Sequence, residues 1–131
     1  MNILAIETSS SVGGLALFSD HDQLFEKSWS NKESHSEILT LTLQEALSAT
    51  KLKISEIDLI GVDAGPGSFT GLRIGINAAR TIGFVHKMPI MSVSSLRVMA
   101  EGFSFKDRPL ISLIDAQRNQ FFVAVYEWRD E

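Results

Sequence analysis

The stretch from Gly61 to Phe84, GVDAGPGSFTGLRIGINAARTIGF, holds six of the chain's nine glycines. A short apolar run leads into a glycine-rich turn, and a helical pattern follows directly. In α/β proteins such a turn often binds phosphate, because the first N–H groups of the helix have no partner within the helix. The stretch therefore predicts an α/β fold and raises the question of whether the turn binds a nucleotide.

The two common phosphate-binding motifs do not fit this turn. A Walker loop needs a lysine before Ser or Thr, and GPGSFTGLR has none. A dinucleotide loop needs G-x-G-x-x-G, whereas Gly65, Gly67 and Gly71 are spaced G-x-G-x-x-x-G. We predict instead that Gly65, Pro66 and Gly67 form a structural turn, because proline fixes its own φ and glycine permits a positive one.

The flanking sequence predicts the element order βββαβαβα, followed by two more strands. A capping box of Ser34 and Glu37 precedes the first helix, which we place at about His35 to Thr50. The predicted strands cover about 2–6, 14–18, 24–29, 57–65 and 88–95, and the other two helices end near Val85 and Glu101. This order predicts a mixed sheet with helices on its faces.

The last two strands repeat the opening in outline. LISLIDAQRNQFFVAVYEW and NILAIETSSSVGGLALF each contain a strand, an acidic residue, a polar turn and a second strand. The repetition predicts two similar lobes, with a first lobe at 1–105 and the beginning of a second at 106–131.

Composition narrows the classes of function. The chain has 131 residues, a formal net charge of −4 and no cysteine. Its basic residues are scattered, which argues against direct, tight nucleic-acid binding, and the absence of thiols excludes thiolate catalysis. We expect a cytoplasmic protein, because the N-terminus lacks signal-peptide features and no segment reaches the roughly 20 apolar residues that span a bilayer.

The helix after the turn carries small residues at every fourth position, Gly71, Gly75, Ala79 and Gly83, which places them on one face. This ridge could pack on the chain's own sheet and first helix, or in an intermolecular helix bundle. We expect the bundle, because so small a domain has few elements to cover two amphipathic helices. The predicted interface comprises His35, Ile38, Leu39, Leu43, Gly71, Leu72, Gly75, Ile76, Ala79 and Gly83.

The opening hairpin offers a second candidate for nucleotide binding. Glu7, Thr8, Ser9 and Ser10 form an acidic, hydroxyl-rich turn between two strands, as in the phosphate hairpin of actin-like nucleotide-binding folds. The same letters also fit an ordinary polar hairpin turn. Glu7 and Asp115 could face one another across a cleft between lobes.

Four segments, ETSS, HSE, GPGSFTGLRIG and IDAQRNQFFVAVY, together resemble the TsaB (YeaZ) family of tRNA threonylcarbamoyladenosine biosynthesis proteins. The resemblance implies an actin-like (ASKHA, ribonuclease H-like) lobe. It also implies a non-catalytic role beside the catalytic subunit TsaD in making t6A at position 37 of tRNA. Members of that family have a full second lobe, so it further implies that this chain lacks most of one.

The resemblance carries expectations about partners and sites. It implies a heterodimer with TsaD, TsaE and TsaC as further pathway partners, only indirect contact with tRNA, no membrane and no cofactor. The metal motif H-x-x-x-H of the sister subunit falls here on Ser95 and Met99, so we expect neither a metal site nor catalytic residues. An active actin-like enzyme, either a small-molecule kinase or a glycoprotease-type metallopeptidase, remains the alternative.

Overall fold

The computed structural model describes residues 1–30, 35–103 and 107–128. A five-stranded mixed sheet has the strand order β3-β2-β1-β4-β5, and a two-stranded sheet pairs β6 with β7. The strands are β1 (Asn2–Glu7), β2 (Val12–Ser19), β3 (Asp22–Ser30), β4 (Leu59–Asp63), β5 (Ile90–Val93), β6 (Leu110–Gln117) and β7 (Gln120–Tyr126). The helices are α1 (His35–Thr50), α2 (Phe69–His86) and α3 (Ser95–Glu101), with a short 3₁₀ turn at Ile54–Glu56.

The core lies between the five-stranded sheet and helices α1 and α2, which cover the same face. Strand residues alternate between faces, so one side of each strand supplies the apolar side chains. The buried apolar cluster includes Leu4 and Ile6 of β1, Leu15 and Leu17 of β2, Ile60 and Val62 of β4, Leu39 of α1 and Ala79 of α2. No helix of the described residues packs along the opposite face over the middle of the sheet.

The sequence correctly predicted the mixed α/β fold and its element order, and the first helix has the predicted bounds. Ser34 of the predicted capping box and the proposed lobe boundary at 105 and 106 lie outside the described residues. The β6–β7 hairpin turns at the predicted polar segment, where Gln117, Arg118 and Asn119 have positive φ. The hairpin forms its own small sheet beside α3.

Candidate functional site

Helix α2 lies on the chain's own strands through its small residues. Its buried positions are Gly71, Gly75, Ala79 and Gly83. A Cβ on Gly71 would overlap the carbonyl oxygen of Thr8, and a Cβ on Gly83 would come within 2.8 Å of Ile90 Cδ1. The expectation that this ridge faces another protein is therefore corrected. The glycines instead allow α2 to pack closely against Thr8 at the end of β1 and against Ile90 of β5.

The side chain of Thr8, at the end of β1, forms hydrogen bonds with the backbone of α2. Its Oγ1 donates a hydrogen bond to the carbonyl of Gly71 at 2.7 Å and accepts one from the N–H of Gly75 at 3.1 Å. These two backbone groups are the partners of one i→i+4 bond in a regular α-helix, so the hydroxyl bridges them. Any side chain at position 71 or 75 would displace Thr8, which explains the two glycines.

The other predicted interface residues divide into two groups. Leu39 is buried in the core with 4% of its surface exposed, and it also lines the groove between α1 and α2. Five are partly buried: His35, Ile38, Leu43, Leu72 and Ile76. His35 Nδ1 accepts a hydrogen bond from Trp29 Nε1 at 2.8 Å, so its side chain links α1 to β3. For all six the interface assignment remains a prediction.

A groove runs between α1 and α2, with a volume of about 360 Å³. Its apolar walls come from Leu39 and Leu43 on one helix and Ala78 and Ile82 on the other, and its floor reaches Ile6 and Leu15 of the sheet. The two helices thus leave between them a space of side-chain size that opens to the surface.

Large apolar residues on both helices remain exposed. Leu41 of α1 is 63% exposed, and Phe84 and Val85 of α2 are 87% and 64% exposed. Phe69, 74% exposed, lies under the Arg73 guanidinium at 5.3 Å from the ring centroid. On α2 the predicted interface left out Phe69, Phe84 and Val85, because it followed the glycine ridge. The helical period that placed the ridge inward also placed Phe84 on the opposite side of α2.

The backbone conformation of Gly65 and close contacts with Ser9 fix the turn before α2. Gly65 has a φ of +93°, a conformation that L side chains rarely adopt. Gly67 needs no positive φ, and its glycine is required for space, because a Cβ there would overlap the carbonyl of Ser9. The N–H of Ser68 donates to that carbonyl at 2.6 Å, and the Ser68 hydroxyl caps α2 by accepting from the N–H of Gly71 at 3.2 Å.

The hydroxyl-rich turn at Glu7 to Ser10 makes its hydrogen bonds within the chain. Thr8 bonds α2, Ser9 Oγ donates to Asp63 Oδ2 at 3.2 Å, and Ser10 Oγ donates to the Val12 carbonyl at 2.9 Å. The backbone carbonyl of Ser9 also accepts a hydrogen bond from the N–H of Ser68 in the turn before α2. The four residues predicted as a nucleotide site therefore join β1, β4 and α2 at one sheet edge, and nucleotide binding by them remains a prediction.

Glu7 meets Asp63, a pairing that the sequence analysis missed. Glu7 and Asp63 are the last residues of the neighbouring parallel strands β1 and β4, whose carboxyl ends share one edge of the sheet. Ser95 Oγ and the N–H of Gly65 both donate to Asp63 Oδ1, at 2.6 Å each. Burial, and next a hydrogen bond with Asp63, raise the pKa of Glu7 from 4.5 to about 7. Parallel pairing of the two predicted strands was the signal that could have found this pair.

This raised pKa predicts a pH-dependent stability. A carboxyl whose pKa is higher in the folded state stabilises the fold below pH 4.5, and that contribution is lost as the pH rises through 7. We expect the free energy of unfolding of Glu7→Gln to equal that of the parent at pH 4 and to exceed it at pH 8. The expected difference is about 1 kcal/mol, because solvent screens the half-buried Glu7 carboxyl. Melting temperatures of both proteins across this range measure the effect. Glu37→Gln, an exposed change on α1, is the control, and equal pH profiles for Glu7→Gln and the parent would contradict the prediction.

The positions that correspond to the sister subunit's metal motif lie on α3. Ser95 is buried and bonds Asp63, whereas Met99 is 44% exposed. Within residues 1–30, 35–103 and 107–128, no three His, Asp or Glu side chains are grouped as metal ligands. In the same ranges no helix is both long and apolar enough to cross a membrane.

A model of the family TsaD, tRNA N6-adenosine threonylcarbamoyltransferase, matches residues 27–131. The chain is 32% identical over 130 residues to the tRNA threonylcarbamoyladenosine biosynthesis protein TsaB of Bacillus subtilis. That match covers 99% of this chain and 57% of the relative, so the chain spans little more than half the length of such proteins.

Two solved structures support the fold. YeaZ from Pseudomonas aeruginosa superposes with a TM-score of 0.88 at 24% identity, over 98% of this chain and 61% of that one. RuvC of Thermus thermophilus superposes with a TM-score of 0.52 at 11% identity, over 75% of this chain and 66% of that one. At these identities the similarity shows only a shared architecture, a ribonuclease H-like sheet with helices. It does not show a shared activity.

Proposed function

The chain belongs to the TsaD (tRNA N6-adenosine threonylcarbamoyltransferase) family and is a TsaB/YeaZ homologue, and on this premise we propose that it is a non-catalytic subunit in t6A biosynthesis. Its role is to bind and support the catalytic subunit TsaD in the cytoplasm. TsaE and TsaC act as further pathway partners, tRNA contact is indirect, and the chain itself needs no cofactor.

The observation that carries the proposal is the uncovered apolar surface of α1 and α2. The groove between the helices accepts side chains from a partner, and Leu41, Phe84 and Val85 add exposed apolar area on the same two helices. Exposed patches of this kind on a small domain mark protein–protein interfaces, and aromatic side chains provide most of the binding energy there. Two helices from TsaD packed on α1 and α2 would complete a four-helix bundle.

A second copy of the chain competes for the same surface. If two α1–α2 pairs meet across a two-fold axis, the homodimer and the heterodimer bury the same residues and exclude one another. We therefore expect TsaD to dissociate any homodimer as it binds.

The lobe assignment forms part of the proposal. Residues 1–105 are the first, N-terminal lobe, and residues 106–131 begin a second, incomplete one with the hairpin β6–β7. The hairpin's outer residues support this, because Ile111, Phe121 and Val125 are each more than 60% exposed and need further elements to cover them.

The proposal is tested by reconstitution of t6A synthesis. TsaD, TsaC and TsaE of the source organism are combined with tRNA, ATP, bicarbonate and threonine, with and without the chain. The expected result is modification that depends on adding the chain in a stoichiometric amount. Equal modification without it, or modification by the chain without TsaD, would overturn the assignment.

Two assays on the purified chain distinguish a non-catalytic subunit from an active kinase or metallopeptidase. We expect less than stoichiometric zinc or iron in the purified chain, and no ATP binding at micromolar concentration by calorimetry. Either a stoichiometric metal or micromolar ATP affinity would favour the enzyme instead.

A further inference from the structure

Helix α2 carries two arginines on its exposed side, Arg73 and Arg80, and Lys87 follows its last residue. The arginines are seven residues apart, which in an α-helix corresponds to two turns and a net rotation of only about 20°. They therefore lie on one line along the helix, away from the small residues that pack on the sheet. Lys87 adds a third positive charge at the C-terminal end of α2.

This side of α2 is basic, although the protein as a whole is acidic. The chain has 12 Lys and Arg residues and 16 Asp and Glu residues, but no Asp or Glu occurs between Phe69 and Lys87. Arg73, Arg80 and Lys87 are exposed, and none of them takes part in an ion pair within the described part of the chain. Arg73 makes a cation–π contact with Phe69, which leaves its charge without a counterion.

The two arginines adjoin the exposed apolar surface of α2. Phe69 lies one turn before Arg73, and Phe84 lies one turn after Arg80. The side chains of Phe69 and Phe84 are 74% and 87% exposed. A partner that covers these rings therefore also meets the arginines. Charges at the rim of an apolar interface act mainly on the rate and the selectivity of association.

An acidic protein helix fits this surface better than a nucleic acid does. Helix α1, beside α2, presents the exposed carboxylates Glu37 and Glu45, which repel a phosphate backbone, as does the net charge of −4. A nucleic acid would also leave the apolar walls of the groove between α1 and α2 uncovered. A helix packed nearly parallel to α2 repeats its side chains at the same seven-residue interval, so two of its carboxylates can meet both arginines.

A second copy of the chain fits the two arginines less well. Its α2 brings the same positive charges. On its α1, Glu45 is already bonded to Lys27 at 2.5 Å, which leaves Glu37 as the remaining carboxylate of that helix. The charge of α2 therefore favours the heterodimer over the homodimer.

We propose that α2 recognises an acidic helix of the catalytic subunit, on which Asp or Glu residues about seven positions apart form ion pairs with Arg73 and Arg80. Apolar residues of the same helix cover Phe84. The inference rests on the proposed function, because it states the chemistry of the partner surface that binds α2. It assigns to the two arginines the selection of the partner.

The test is calorimetric titration with TsaD of the same organism at about 0.1 M and about 1 M salt, between which the Debye length falls from about 10 Å to about 3 Å. Arg73→Gln combined with Arg80→Gln should weaken binding about tenfold at the lower salt concentration and less than about twofold at the higher one. The control double variant, Arg97→Gln with Arg118→Gln, removes the same charge from α3 and from the β6–β7 turn. It should bind as the parent does at both concentrations.

Charge reversal then identifies the partner's carboxylates. We expect Arg80→Glu to weaken binding more than about tenfold, because it places like charges opposite one another. Among TsaD variants in which one exposed Asp or Glu is changed to Lys, one should restore binding to Arg80→Glu and should itself bind the parent more weakly. If no such variant restores binding, the inference is wrong.

The other outcomes separate this inference from the proposed function. If TsaD binds the parent and both double variants with equal affinity, the inference is wrong and the proposed function stands. If TsaD does not bind the parent, both are overturned. Two results would assign the arginines to a different occupant and also overturn the inference: binding of tRNA to the parent that Arg73→Gln with Arg80→Gln abolishes, or self-association that this double variant abolishes without weakening TsaD binding.

Discussion

Replacing Gly71 with alanine is expected to lower the melting temperature by about 10 °C or more, the largest stability effect expected of any Gly→Ala change on α2. The added Cβ overlaps the backbone carbonyl of Thr8, which cannot rotate away as a side chain could. Alanine's better helix propensity returns only about 1 kcal/mol, whereas overpacking against backbone costs about 3 kcal/mol or more. Thermal unfolding followed by circular dichroism measures the loss.

Gly14→Ala is the matched control for this prediction. Its Cβ would lie 3.8 Å from the nearest atoms, so its melting temperature should equal or slightly exceed that of the parent. A Gly71→Ala protein as stable as Gly14→Ala would show that α2 does not lie against Thr8 as described. It would also reopen the possibility that the glycine ridge faces a partner.

Replacing Phe84 with glutamate is expected to weaken binding to TsaD about thirtyfold, which corresponds to about 2 kcal/mol for an aromatic residue at the centre of an interface. Phe84 is 87% exposed in the isolated chain, so its replacement should leave the fold and melting temperature unchanged. Calorimetric titration with TsaD, together with circular dichroism of the variant, separates the two effects.

Phe121→Glu provides the control, because Phe121 is also an exposed aromatic residue but lies on β7. It should bind TsaD as the parent does. If both variants bind equally well, the exposed part of α2 is not the interface. If both bind equally poorly, the loss comes from added negative charge rather than from the position of Phe84.

The sequence predicted the order of elements because turn residues and hydrophobic periodicity are local signals. It placed α1 at its observed bounds and put the small residues of α2 on one face. The partner of that face could not be predicted from α2 alone, because the same small residues suit a strand or another helix. Only the position of Thr8, 63 residues from Gly71 in sequence, decides the matter.

The contacts at the sheet edge were missed for a related reason. Asp63 and Ser95 are far from Glu7 and Ser9 in sequence, and the pairing of β4 with both β1 and β5 brings these side chains together. The turn rich in serine and threonine was therefore predicted as a phosphate site without knowledge of the hydrogen bonds that Thr8 and Ser9 make to distant parts of the chain.

The most direct test of the central claim is the mass and affinity of the complex between this chain and TsaD of the same organism. Light scattering of the separate proteins and of their mixture, with a parallel calorimetric titration, gives both quantities. We predict a one-to-one heterodimer that forms without nucleotide and replaces any homodimer of the chain. Unchanged masses in the mixture, with no heat of binding, would contradict the assignment of the chain as a supporting subunit of TsaD.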